Sequence, residues 1–491
     1  MKNLAELISG SAQANPTAAF GTIEKPSDLS TAVQRAARLA QYMNEQGYKR
    51  GSRWALIGSN SAEYMLTWMA AQLAGIELAL LNAEYPSELL DAMVGDLRPD
   101  LVVWLDHEPI ALGSGSFPTL DLRQWWNEND QLPSTEAIDV RSLDGWQCVP
   151  AGISAYIHTS GTTGRPKFCA LSHDYFLRLG RFFADTLCLG KDDRVFAPLS
   201  MYHINPLGYG VVGALTARAS VLGTNRFSAS KFWPTVKEHE FSAVVLHPSI
   251  AMILATKTNA KDAAGHSVRV AFSAEFMLCG LFGIPVGVVG FGSTEAGGLC
   301  HSWLYRAGDS LMCKEGSGNY AGRARYDVDW MISPEGEILV RGKVGHPIVS
   351  GYIRNGEVCS ALDDDGWFHT GDRGRRDDYG NLVFIERMSE AIRVKGEYVP
   401  IDFVETRLAA CRSLAPYALW RKDSPTTGHQ VVVYTESCNV DLDEFKKVVE
   451  VLPKFMQPQE IIQVGALPRV GANKVARNQL AAQPVLSTAK P

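Results

Sequence analysis

The segment Thr159-Ser-Gly-Thr-Thr-Gly-Arg-Pro-Lys167 crowds hydroxyls, glycines and an ammonium into one short loop. Gly161 and Gly164 let the backbone turn tightly, and Thr159, Ser160, Thr162 and Thr163 set hydroxyl donors beside exposed N–H groups. Lys167 adds a compact positive charge, so the loop suits a polyphosphate. It is not a Walker A loop, which needs glycine at 166, where Pro166 stands. A second glycine-rich run, Gly290-Phe-Gly-Ser-Thr-Glu-Ala-Gly-Gly298, fails as a dinucleotide fingerprint because Glu295 occupies the third glycine position. A carboxylate there repels phosphate unless a divalent cation lies between, and Mg2+ reaches nucleotide phosphates through one or two carboxylates. Glu295 is therefore either a Mg2+ ligand or a residue of a solvated turn.

Loops of this kind work only when regular elements aim them. The apolar run Ile153 to Ile157 leads into the first loop. Upstream, Leu29, Val33, Ala36, Ala37, Ala40 and Met43 recur at helical spacing, with Gly47 as a stop. Trp54 to Ile57 reads as a strand, and Asn60 with Glu63 predicts a capping box for a helix that ends at Gly75. Ile76 to Leu81 is another strand, followed by a helix over about 87–95 and a strand at Leu101 to Leu105. This alternation implies parallel strands covered by helices, an α/β body. After about residue 320 the chain turns Gly- and Asp-rich, with strands predicted at Glu337 to Arg341 and Leu382 to Ile385, a β-rich subdomain. Mixed strand and helix patterns resume near 391, which puts a domain boundary at about 385–391 before a small α+β C-terminal domain.

Composition excludes several classes. With Lys+Arg 47 against Asp+Glu 53, the net charge of −6 argues against a nucleic-acid binder. Nine cysteines without a Cys-x-x-Cys pair fit free thiols in a reducing compartment. No apolar stretch approaches the ~20 residues needed to span a bilayer, and the N-terminus lacks a signal-peptide core. A cytoplasmic enzyme is the expectation.

Taken together, the loops resemble the adenylate-forming superfamily, which includes acyl- and aryl-CoA synthetases, peptide-synthetase adenylation domains and beetle luciferases. Phe291-Gly-Ser-Thr-Glu295 is similar to its Tyr-Gly-x-Thr-Glu, and Pro198-Leu-Ser-Met-Tyr-His203 to its Pro-Leu-x-x-x-His. Gly366-Trp-Phe-His-Thr-Gly-Asp372, Ile385-Glu-Arg387 through Val394-Lys-Gly396, and Leu467-Pro-Arg-Val-Gly-Ala-Asn-Lys474 resemble further motifs in the family's order. The chain is most like the acyl-CoA synthetases. The resemblance implies an N-terminal domain over 1–386, a hinge over 387–390 and a mobile C-terminal cap over 391–491.

It implies, too, that a carboxylate attacks the α-phosphate of ATP to give acyl-AMP, and that a thiol then expels AMP. Lys474 would bridge substrate and nucleotide during adenylation, Thr294 would contact the α-phosphate, and Glu295 would hold Mg2+. Phe291, Gly292 and Ser293 would lie along the nucleotide, Asp372 would take the ribose hydroxyls, and Arg387 would stand beside it. Lys395 and Gly396 would face the pantetheine arm of CoA, or of a carrier protein in the alternative reading. His203 would serve the acyl site, with Tyr202, Asn205, Gly208, His247 and Pro248 as pocket neighbours. The run Met201 to Pro206 lacks the acid that would pair an amino acid's ammonium, which favours a non-amino carboxylic acid. An inactive acyl- or nucleotide-binding homologue is the reading from another class. Departures from the family's pattern are Ser389 in the hinge, Asn473 before Lys474, and Ser273-Ala-Glu275 where a glycine-rich segment is usual.

Overall fold

The protein is represented by a computed structural model that describes residues 1–106, 109–110, 112–113, 117–129, 137–160, 166–272, 276–306, 309, 319–346, 348–387, 392–470, 474–475 and 477–491. Among these residues the strands form three large sheets interleaved with helices, so the fold is α/β.

The first sheet has parallel strands at Arg53–Gly58, Glu77–Asn82, Leu101–Trp104 and Ile153–Ser160. Pro166–Ser172 then turns back antiparallel to Ile153–Ser160 and pairs on its other side with Gly351–Arg354. The second sheet runs parallel from Ala19–Thr22 through the strands at 220–223, 194–196, 243–245 and 270–272 to Val286–Ser293. From there it becomes antiparallel through Gly298–Arg306, Asn319–Ala324, Leu382–Arg387 and Phe368–Arg376. The third sheet belongs to residues after 391, with Ile392–Val394 and Glu397–Val399 as a hairpin at one edge.

The helix Ala62–Ala74 illustrates how sequence and packing divide the work. All its residues but Glu63 are buried, wedged against the helix Leu29–Glu45, and Gly75 closes it at φ 72°. The capping box read at Asn60 is not formed. Ser61 is the N-cap and accepts from the Tyr64 N–H at 3.0 Å. Asn60 is engaged elsewhere: its amide donates to the carbonyls of Leu199 and Thr224, and its Oδ1 accepts from the Met201 N–H at 2.7 Å. One side chain thus ties the first sheet to the segment that carries His203.

Candidate active site

A cavity of about 670 Å³ opens where the C-terminal ends of the two large sheets meet the third. Thr159 enters it from the first sheet, and Gly292, Ser293, Thr294 and Glu295 from the second. Tyr202, His203 and Asn205 come from the connection after the strand at 194–196, Asp372 from Phe368–Arg376, and Lys395, Gly396 and Glu397 from the hairpin.

At one end lie the groups suited to phosphate. Thr159 Oγ1 donates to Glu295 Oε1 at 2.7 Å, and the Tyr352 hydroxyl donates to the same oxygen at 3.2 Å. Burial foremost, and Glu295 beside it, raise the Tyr352 phenol, so it stays a donor. Lys167 stands across from Thr159 in the strand register, with its ammonium over the Tyr352 ring. Burial and the neighbouring Arg354 lower its pKa, while Glu295 opposes them. Behind this corner, Tyr175 donates to the Thr294 carbonyl at 2.8 Å, and Arg325 donates to the carbonyls of Gly297 and Leu299. Arg325 is in turn held by buried Asp327, which also takes Arg178 at 2.6 Å. A rigid, hydrogen-bonded carboxylate near an ammonium and hydroxyls is a hard-oxygen donor set that fits Mg2+ carrying phosphate.

Asp372 is buried, opposite Arg387 in register, on a turn that its neighbours fix. Gly371, at φ 69°, donates its N–H to Glu337 Oε1 at 2.8 Å, and Thr370 Oγ1 donates to the Ile338 carbonyl. His369 lies between Glu337 and Asp363, and the hydrogen bond to Glu337 leads in raising its pKa.

The lining also has apolar members, among them Ile204, Pro248, Ile250, Phe272 and Leu299. Glu397 is the unexpected member. Its Oε1 accepts from the Tyr202 hydroxyl at 3.1 Å and lies 3.3 Å from His203 Nε2. Burial works to raise its carboxyl, but His203 and the Tyr202 hydrogen bond bring the net shift below the usual range. His158 and His247 are driven the other way. Burial, with His203 adding to it, pushes His158 down to about 3; burial, then Arg393, pushes His247 down to about 4. Both rings are neutral at pH 7.

Lys395 and Gly396 form the two-residue turn of the hairpin, at φ 55° and 88°. Positive φ at both central positions is what a type I′ hairpin demands. A side chain at 396 would also reach His247, since an added Cβ would lie 3.6 Å from its Nδ1.

This mixture of phosphate-suited and apolar lining can be set beside known proteins. The family described as AMP-binding enzyme matches residues 30–353. The chain belongs to that family. Its relatives include 4-coumarate–CoA ligase 3 of Arabidopsis thaliana, 24% identical over 91% of this chain and 84% of the relative. Indoleacetate–CoA ligase of Aromatoleum aromaticum is 26% identical over 90% of both. In three dimensions, a double mutant of o-succinylbenzoate CoA synthetase from Bacillus subtilis bound with its product analogue OSB-NCoA gives a TM-score of 0.80 at 21% identity, covering 99% of each chain. The same enzyme with its acyl-adenylate intermediate OSB-AMP gives 0.67 at 21% identity over 98% of each. The curated relatives named here are acid–CoA ligases.

The site brings together Thr159, Ser293, Thr294, Glu295, Asp372, His203, Tyr202, Asn205, His247, Lys395 and Gly396 around one cavity. Phe291 is elsewhere, stacked on Phe384 with ring centroids 5.7 Å apart. Gly208 is buried beneath Leu179 and Ile204, where an added Cβ would come within 2.9 Å of the former. Ser160, Arg387 and Lys474 stand on strands, Lys474 opening the short strand Lys474–Val475. Gly161, Thr162, Thr163, Gly164, the hinge residues 388–390, Asn473 and residues 273–275 lie outside the described residues. Sequence reasoning missed Glu397, Tyr352 and His158. Glu397 follows Lys395-Gly396 directly, and its place beside an expected binding turn was the available signal.

Proposed function

We propose that this enzyme activates a non-amino carboxylic acid, acyl or aryl, to acyl-AMP with ATP and Mg2+, and then transfers the acyl group to the thiol of CoA. The observation that carries the reading is that Lys395, Gly396 and Glu397 line the same cavity as Thr294, Glu295 and Asp372. One space therefore serves nucleotide, acid and an incoming thiol.

In the first half-reaction the protein's work is positioning and charge neutralisation. Glu295 would hold Mg2+, which shields the triphosphate, while Lys167 and Thr294 would meet phosphate oxygens. Asp372 would accept from the ribose hydroxyls, and Lys474 would bridge the acid and the nucleotide. In the second half-reaction the thiol arm would pass Gly396, whose missing side chain leaves room beside His247. A cap that turns about residues 387–390 would exchange Lys474 for this hairpin between the steps.

The apolar lining residues Ile204, Ile250, Phe272 and Leu299 favour an uncharged acyl or aryl body. The Met201 to Pro206 run has no acid, but Glu397 supplies one from far along the chain. Tyr202 and His203 engage Oε1 of that carboxylate, while its buried Oε2 has no hydrogen-bond partner among the described residues. Among the described residues no helix is long and apolar enough to cross a membrane, and the eight described cysteines are thiols, which favours a cytoplasmic setting.

The test is a panel of carboxylic acids with ATP and Mg2+, read as pyrophosphate release, followed by CoA and detection of thioester by mass. Pyrophosphate and thioester together are expected. Adenylate that is never transferred to CoA would point to a carrier-protein phosphopantetheine as acceptor, and no pyrophosphate across the panel would refute the reading.

A further inference from the structure

Tyr352 meets both charges of the phosphate end at once. It lies on Gly351–Arg354, opposite Cys169 of the strand that also carries Lys167. Its hydroxyl donates to Glu295 Oε1 at 3.2 Å, and its ring centroid lies 5.3 Å from Lys167 Nζ. Lys167 faces Thr159 across the strands, and Thr159 Oγ1 donates to that same Oε1 at 2.7 Å. An ammonium and a carboxylate therefore meet on one phenol, yet no ion pair joins them within 4.0 Å.

Opposite charges this near attract strongly once water is thinned around them. Something must hold them apart, and Tyr352 has the means on both sides. The face of its ring attracts the ammonium, and its hydroxyl fixes the carboxylate. The geometry points to Tyr352 as a positioning residue that keeps Glu295 and Lys167 separate and aimed, so that an incoming Mg2+–triphosphate finds both free of each other. Without the hydroxyl, Glu295 keeps only the Thr159 bond and turns more readily to Lys167, a pair that ligand binding must then break. The inference rests on the ATP-dependent reading above.

Two variants separate the parts. Tyr352→Phe keeps the ring and deletes the donor, whereas Tyr352→Leu removes both. ATP binding is measured by calorimetry across a Mg2+ series with no acid present, alongside thermal unfolding. Wild-type protein is expected to bind MgATP. Tyr352→Phe is expected to need roughly tenfold more Mg2+ for half-maximal ATP binding, the effect of losing one hydrogen bond to a charged group, with its melting temperature unchanged. Tyr352→Leu is expected to weaken ATP binding without Mg2+ as well, because Lys167 loses its seat. If wild type binds MgATP and Tyr352→Phe shows the same Mg2+ dependence, the positioning role is overturned while the reaction stands. If wild type binds no ATP at any Mg2+ concentration, both fall.

Discussion

Replacing Glu397 with alanine tests whether the hairpin is seated on the cavity for one half-reaction only. The carboxylate takes a hydroxyl at 3.1 Å and an imidazole nitrogen at 3.3 Å, and its side chain is 17% exposed. A hydrogen bond to a charged group contributes about 1.5–3 kcal/mol, and the longer of these two contributes less than a full bond. Losing both, with some recovery by water, weakens the seat by about 2–3 kcal/mol, which is roughly 30- to 150-fold in occupancy. Single-turnover thioester formation from supplied acyl-AMP and CoA should fall by that factor in Glu397→Ala. Pyrophosphate release from ATP and acid should stay within about twofold, since by this reasoning adenylation uses Lys474 in place of the hairpin. Glu397→Gln keeps the shape and one acceptor, so its loss should be nearer tenfold. The pH dependence has a definite sign. The folded carboxyl is lowered from 4.5, so its contribution is complete above that value and fades only as pH falls through the lower one. Equal losses in both half-reactions would refute the reasoning, because they would make Glu397 part of the general scaffold.

Three further outcomes follow from the packing. Asp327→Asn leaves Arg178 and Arg325 short of a buried anion and should cost about 3–5 kcal/mol in denaturant unfolding; in the wild type this support is lost only as pH falls below 3.8, because Arg325 and then Arg178 outweigh the effect of burial. Gly298→Ala should lower both the melting temperature and ATP affinity, since its Cβ would lie 2.2 Å from the Tyr209 hydroxyl at φ +77°. His369→Gln should flatten the pH dependence of folding stability above 6.5: the ring's raised pKa means that its contribution is present below that value and lost as pH climbs through the raised one, and denaturant unfolding from pH 6 to 9 reads it.

Local features were legible because they obey short-range rules. The apolar spacing from Leu29 to Met43 gives the observed helix Leu29–Glu45, and the strands at 53–58, 101–104, 337–342 and 382–387 stand where alternation or apolar runs put them. The capping box failed by one residue for a physical reason. Asn60 and Ser61 are both good caps, and the choice was made by Leu199, Met201 and Thr224, which claim the asparagine across more than a hundred residues. The site divides along the same line. Thr159 and Glu295 announced themselves by their own neighbours, but their hydrogen bond spans 136 residues and depends on the register of two sheets. Glu397 reaches Tyr202 across 195 residues. Tyr352 carries no local signal beyond a preceding glycine, so only the pairing of its strand with the Lys167 strand brings it to the corner. Phe291 shows the converse. A lone aromatic in a binding motif is as useful to a core as to a base, and here Phe384 takes its face.

The electrostatics of the cavity bear on how a protein of charge −6 can hold a triphosphate. The described lining carries the acids Glu84, Glu295, Asp372 and Glu397 against the cations Arg226, Arg393 and Lys395. His158 and His247 add nothing at neutral pH, because burial holds them near 3 and 4. The cavity is thus no anion trap, and long-range attraction cannot concentrate a polyanion there. Affinity must come instead from short-range donors, from Lys167 beside the wall, and from a divalent cation that turns Glu295 from a repulsive charge into a ligand. That arrangement makes nucleotide affinity steep in Mg2+ and comparatively flat in monovalent salt, the opposite of what a basic groove would give.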